Sequence, residues 1–479
     1  MVDSLGHRGA ALANPFRNIL KLAAGDFLAK TLYFLSFVYL ARILGVRQFG
    51  VLEFANSLLT YFLLLSDAGL ERWSVREIAR TGDVRGLAGR VVPLRFLLAG
   101  AAFSLMLLLL PFFPNDPLLR QVLTLFGLCL FAQAASLKWV FMGQQKMNRV
   151  AAGLVVGQMV FALSVFAFVR TPAQLVWVPV LRLASDLALA GYFARRFAQE
   201  HGGLRLPLTL RDARNVLGPA LTLGVLQALS IINYNFDAVL LGFLAGVTSV
   251  GWYSAAYKPV TVALAMPLTY FAGLFPALSS AYAENKEDFR GIVSRSLRLA
   301  TSFSVPLGVG GAMLAEPIIL LLFGPAYAPS VPVLRILAWS VVLVILRGTF
   351  HQALNAANRS AVDLRCAMVS AGLNVALNIV LIPHYGMIGA AAATLAAEIV
   401  WVTLVTNRLN HYVIQVNLLP YLWRPALAGA AMAACLWLAE PVFWMARAAL
   451  GVGVYFGVLL LLGGANWREW TQILKRPAT

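Results

Sequence analysis

The sequence predicts an all-α integral membrane protein of about fourteen transmembrane helices: two six-helix lobes in a parallel repeat, followed by two C-terminal helices. Three observations carry this. Apolar stretches near twenty residues recur along the whole chain, as in VVPLRFLLAGAAFSLMLLLLPFF from Val91 to Phe113. Only 12% of the 479 residues are charged, about half the share of a soluble domain. Basic residues crowd into every second gap between the apolar stretches.

A hydrocarbon core about 30 Å thick takes roughly 20 helical residues to cross. In the first half, candidate spans run over 22–43, 49–70, 93–113, 119–142, 150–170 and 174–197. In the second half they run over 215–243, 250–280, 293–314, 332–355, 362–383 and 387–407. Two more, 421–440 and 442–464, close the series. The longest polar connections are Glu71–Leu87 and Gln199–Arg214. Leu320–Trp339 holds too many prolines for a straight span and predicts a short interfacial turn on the outer side.

The formal charge is +18. On a soluble protein such a charge would suggest nucleic acid. Here 27 basic residues fall in one alternate set of loops, including Arg72, Arg76, Arg80, Arg85, Arg195 and Arg196, against six in the other set. The charge is therefore topological, with both termini predicted on the cytoplasmic side of the membrane and no nucleic-acid partner expected.

An internal repeat divides the chain. LGVRQFGVLEFAN (Leu44–Asn56) overlays AGVTSVGWYSAAY (Ala245–Tyr257), pairing Gly45 with Gly246, Val46 with Val247, Gly50 with Gly251 and Ala55 with Ala256. Asn148-Arg149 and Asn358-Arg359 echo each other at the starts of the fifth and eleventh spans. The expected domains are 1–205, 206–412 and 413–479.

Cys129, Cys366 and Cys435 lie in or beside apolar stretches and share no motif. The five histidines are scattered, and no catalytic, nucleotide-binding or zinc pattern is present, so no enzyme activity, cofactor or metal is expected. Gly153 and Gly157 form a GxxxG, which reads as close helix packing.

Charges inside apolar spans cost free energy and are functional candidates by default. Asp26 and Lys30 share a face of the first span, and Arg182 and Asp186 a face of the sixth. Asp237, Lys258, Arg347 and Glu398 occupy the seventh, eighth, tenth and twelfth spans. Asp237 and Lys258 lie at similar depth and could pair across adjacent helices. Lys30, Arg182, Lys258 and Arg347 are the candidates for a cationic lumen. Asp26, Asp186, Asp237 and Glu398 are candidate charge partners or ion-coupling groups.

Asn18–Leu59, with SDAGLERWSVREIAR (Ser66–Arg80), resembles the start of polysaccharide transporters of the multidrug/oligosaccharidyl-lipid/polysaccharide flippase superfamily. Asn355–Glu398, with its Tyr385-Gly386-Met387-Ile388-Gly389 run, resembles that family's C-terminal half. The resemblance implies two lobes around a cavity, alternating access, and a polyprenyl-pyrophosphate-linked glycan as substrate. It also implies a place beside a polysaccharide polymerase complex, and it puts Asp26 where related flippases often carry charge. Two other functions compete. An ion-coupled small-molecule exporter would need only twelve spans. A glycan polymerase or ligase would need a large outer loop with catalytic groups, and the outer loops here are short.

Overall fold

The computed structural model describes residues 15–203, 210–440 and 443–464. They are almost entirely helical, with no strand among them. The helices are α1 Pro15–Asp67, α2 Leu70–Thr81, α3 Val84–Leu109, α4 Pro117–Gly127, α5 Cys129–Ala135, α6 Lys138–Gly143, α7 Met147–Phe168 and α8 Trp177–His201. Then come α9 Leu210–Leu244, α10 Val247–Glu284, α11 Lys286–Met313, α12 Ala315–Phe323, α13 Val331–Ala356, α14 Ser360–Tyr412, α15 Leu419–Leu438 and α16 Trp444–Leu461. Lipid offers no hydrogen bonds, so backbone groups must be satisfied within each helix.

Among the described residues, eight helical segments are long and apolar enough to cross a bilayer, or nine if the pair 286–313 and 315–323, bent by 70°, makes one broken span. Two helices are too long for a single crossing. The 53 residues of α14 would reach roughly 80 Å if straight, more than twice the hydrocarbon thickness. The chain breaks inside both. Gly45 turns α1 at φ 72°, and Gly386 turns α14 at φ 54°. Both breaks fall in the short gaps expected between spans 22–43 and 49–70 and between 362–383 and 387–407. Only glycine enters this left-handed region without steric penalty.

The fourth predicted span, 119–142, is not continuous. It is divided among α4, α5 and α6, with extended backbone at Ser136. The carbonyl freed at that break is taken by a side chain. Arg95 Nη1 donates to the Ser136 oxygen at 3.0 Å, while Arg95 Nη2 lies 3.5 Å from Asp67 Oδ1. The proline-rich stretch after α12 winds into a 3₁₀ turn over Pro325–Ser330, as its composition predicts.

Contacts group the chain into two compact units, 1–44 with 55–228, and 45–54 with 229–479. In the first, Trp73 and Ile78 of α2 pack with Leu87, Trp139, Phe141, Phe193 and Phe197. Gly153 and Gly157 pack as the GxxxG reading expects. The Phe193 ring sits over Gly153, and Ser185 Oγ donates to the Gly157 carbonyl at 2.7 Å. In the second unit, α15 and α16 cover α11 through Val305, Val309, Met432, Leu436 and Leu459. Tyr455 anchors this layer by donating to the Ser302 carbonyl at 2.9 Å.

Candidate functional site: buried charges of the membrane helices

The buried intramembrane charges that the structure describes sit in specific polar clusters. In the first unit, Arg182 and Asp186 pair along one face of α8, Nε to Oδ1 at 3.3 Å, as their spacing predicts. Gln133 of α5 donates to the same carboxylate at 3.1 Å. Asp186 is buried, while Arg182 is half-buried. Lys30 is exposed on α1, and the side chain of Asp26 lies outside the described residues.

The second unit holds three clusters. The expected Asp237–Lys258 pair gives way to two separate arrangements. Lys258 of α10 reaches Glu53 of α1, Nζ to Oε2 at 2.9 Å, with both groups nearly buried. This pair depends on an unusually close helix approach. A Cβ added at Gly50 would collide with the Val247 carbonyl, and one added at Gly251 would collide with the Val46 carbonyl. Glycine at both positions lets the backbones meet, so Glu53 arrives beside Lys258.

Asp237 is met by neutral donors instead. Thr394 Oγ1 donates to Oδ2 at 2.6 Å, Tyr253 Oη to Oδ2 at 3.0 Å, and Asn378 Nδ2 to Oδ1 at 2.7 Å. Asn374 supplies two more oxygens to the same Asn378 amide, at 2.9 and 3.1 Å. Asn378 Oδ1 is itself buried with no hydrogen-bond partner. The break at Gly386 makes the cluster possible, because Asn374 and Asn378 precede it in α14 and Thr394 follows it. Three neutral donors therefore converge on one buried carboxylate.

Arg347 of α13 and Glu398 of α14 form the third cluster, Nε to Oε2 at 3.0 Å. The Arg347 guanidinium lies 3.5 Å from the centre of the Trp401 ring. One turn further along α13, His351 Nδ1 lies 2.7 Å from Asp363 Oδ2.

Sequence reasoning missed Glu53, Arg95, Tyr253, Asn374, Asn378 and Thr394. Glu53 was legible as a carboxylate within an apolar span. Asn374 and Asn378, four apart in α14, share a helix face and were legible by the same test. Lys138, at the start of α6, lies 2.8 Å from Glu71 of α2. Glu71 lies outside the spans. Burial acts to raise its pKa, but Lys138, Arg95 and Arg72 outweigh burial and hold the carboxyl below its ordinary value. Lys146, between α6 and α7, is pushed below its ordinary value by burial and by Arg149. Among the described residues no cluster of three or more His, Cys, Asp or Glu could hold a metal.

Known proteins are similar to this chain in sequence and in fold. Residues 16–282 match the family described as polysaccharide biosynthesis protein. Residues 223–380 match the MatE family. A putative O-antigen transporter of Escherichia coli (strain K12) is 23% identical over 397 residues, covering 80% of this chain and 93% of that protein. A probable low-salt glycan biosynthesis flippase of Haloferax volcanii is 22% identical over 404 residues, covering 83% and 84%. Among solved structures, a lipid II flippase, MurJ, in an inward closed conformation superposes with a TM-score of 0.77 at 14% identity, covering 94% of this chain and 99% of that one. An inward-facing multidrug resistance MATE transporter gives a TM-score of 0.65 at 17% identity, covering 80% and 95%. This multi-pass membrane protein thus belongs to the polysaccharide biosynthesis protein family, within the multidrug/oligosaccharidyl-lipid/polysaccharide flippase superfamily.

Proposed function

We propose that this protein is a flippase that carries a polyprenyl-pyrophosphate-linked oligosaccharide from the cytoplasmic to the outer leaflet of a bacterial inner membrane. It works by alternating access, with both termini cytoplasmic, and supplies cell-surface polysaccharide synthesis beside a polysaccharide polymerase complex. One observation carries most weight. The likeness to the lipid II flippase fold covers 94% of the chain, whereas that to the MATE exporter covers 80%. The O-antigen transporter and the glycan flippase are similar over most of their own lengths.

The chemistry supports the same reading. A glycan head cannot cross hydrocarbon unaided, and its pyrophosphate is an anion that Lys and Arg recognise. Lys30 is exposed. Arg182, Lys258 and Arg347 each hold a carboxylate within 3.3 Å. In this reading Arg182, Lys258 and Arg347 reach the pyrophosphate by exchanging a carboxylate for it, so none of the three is a bare charge at rest. Asp237 is the group proposed for ion coupling. The MatE match keeps a second reading in view, an ion-coupled small-molecule exporter.

The test is transport in vesicles loaded with a fluorescent lipid-linked oligosaccharide. The protein should move the labelled head across the bilayer, with a rate that responds to a sodium or proton gradient. Asp237→Asn should abolish that response. Vesicles that export cationic dyes but leave the lipid-linked sugar in place would replace the flippase with the exporter.

A further inference from the structure

A cavity of about 290 Å³ lies where α15 begins, α16 ends and α11 passes. Its wall includes Arg298 and Ser302 of α11, Tyr421, Trp423 and Arg424 of α15, and Gly464 just past α16. All belong to the second unit. None of these residues takes part in the buried charge clusters. The basic-loop pattern assigns this end of the three helices to the cytoplasmic face.

The cavity is built rather than incidental. Arg424 is held in place from two sides. Its Nη1 donates to the Gly463 carbonyl at 2.6 Å, and its guanidinium lies 5.1 Å from the Trp423 ring centre. Gly463 offers that carbonyl because it ends α16 in a left-handed turn, at φ 63°. With one edge of the guanidinium so engaged, its Nε is buried and lacks a hydrogen-bond partner. Arg424 also lines the cavity, so its charge stands where a ligand that accepts hydrogen bonds would meet it. Arg298 adds a second positive charge from α11, one turn before Ser302.

The rim identifies the source of that acceptor. Leu419, Trp423 and Leu427 lie four residues apart on α15 and are all exposed, Leu419 at 68% and Leu427 at 52%. They make one apolar stripe that starts at the cavity mouth and runs into the membrane. A free anion would use the two arginines but not the stripe. A lipid uses both, with its phosphate in the cup and an acyl chain along the leucines.

We infer that the cup between α11, α15 and α16 binds the phosphodiester headgroup of an anionic membrane phospholipid, which clamps the two C-terminal helices onto α11. The site is separate from the proposed transport path and stands whether or not the substrate is a lipid-linked glycan.

The test uses the purified full chain in a neutral detergent. Phosphatidylglycerol, phosphatidylcholine, polyprenyl pyrophosphate and inorganic phosphate are titrated separately, and thermal unfolding is recorded. Phosphatidylglycerol should raise the midpoint saturably, and the other three should not compete with it. Arg298→Gln leaves the Gly463 contact intact and should weaken phosphatidylglycerol roughly fivefold, and Arg298→Gln with Arg424→Gln roughly 25-fold. Unchanged affinity in Arg298→Gln would overturn the site. Equal stabilisation by phosphatidylcholine would remove the role of charge. Competition by inorganic phosphate at similar concentration would remove the lipid, and competition by polyprenyl pyrophosphate would reassign the cup to substrate.

Discussion

Gly50 of α1 and Gly251 of α10 occupy equivalent positions of the internal repeat, and each packs on the backbone of the other's segment. Gly50 lies against the Val247 carbonyl and Gly251 against the Val46 carbonyl, and Val46 and Val247 are themselves repeat partners. A contact in which i meets j′ and j meets i′ is the signature of a local two-fold relation. The repeat read from letters thus has a physical counterpart at its best-matched point.

That contact has no room for a side chain. Gly50→Val and Gly251→Val should each destabilise the protein by about 1–3 kcal/mol, the cost of overpacking a close-fitted site. Gly218→Val, where a Cβ meets nothing within 4 Å, is the control and should leave the unfolding midpoint nearly unchanged. Equal behaviour of all three in a thermal melt would show that the close approach does not matter.

The Lys258–Glu53 pair separates a structural charge from a substrate-binding one. Lys258→Met leaves a nearly buried carboxylate without its cation, and breaking such a pair costs about 3–5 kcal/mol. Lys258→Met with Glu53→Gln should recover the thermal stability. Transport should stay lost in the double variant, because the pyrophosphate still lacks its cation. If transport returns with stability, Lys258 serves only to neutralise Glu53.

Arg347 is held by geometry as much as by charge, since it spans the Glu398 carboxylate and the Trp401 face. Lysine offers neither the planar fork nor the stacking surface. Arg347→Lys should therefore destabilise by about 1–2 kcal/mol despite keeping the charge. Trp401→Leu should remove most of the difference between arginine and lysine, measured as a double-mutant cycle on the unfolding midpoint.

The Glu71–Lys138 bridge predicts a pH dependence. The Glu71 carboxyl is depressed below its ordinary value of 4.5 in the folded protein. Its stabilisation is therefore full above that value and is lost as pH falls through the depressed one. Glu71→Gln should flatten the fall in unfolding midpoint below about pH 4.5 and leave its shape above pH 6 unchanged. An identical acid limb in wild type and variant would show that the bridge contributes nothing to acid stability.

Much of the architecture was legible in the sequence because a bilayer imposes one rule on every segment. Apolar length marks the stretches that form helices. The gaps at 44–48 and 384–386 already contained Gly45 and Gly386, the two residues that break the long helices. The Arg182–Asp186 pair was legible because i, i+4 spacing is a local property of one helix. The division of the fourth span was not legible, since the Arg95 side chain that satisfies the Ser136 carbonyl comes from another helix.

By itself the sequence determined the helical membrane class, the gaps that hold the Gly45 and Gly386 breaks and most of the charges held in apolar surroundings. It also determined the Arg182–Asp186 pair, which lies on one helix face. Tertiary structure alone decided which charge meets which. Asp237 and Lys258 share a depth, yet depth along separate helices leaves rotation and neighbour order open. Packing set both. The Gly50–Gly251 approach brought Glu53 to Lys258, and the Gly386 break folded α14 back so that Asn378 and Thr394 reach Asp237. Local periodicity places a residue on its own helix, whereas its partner is chosen by close packing between helices far apart in the chain.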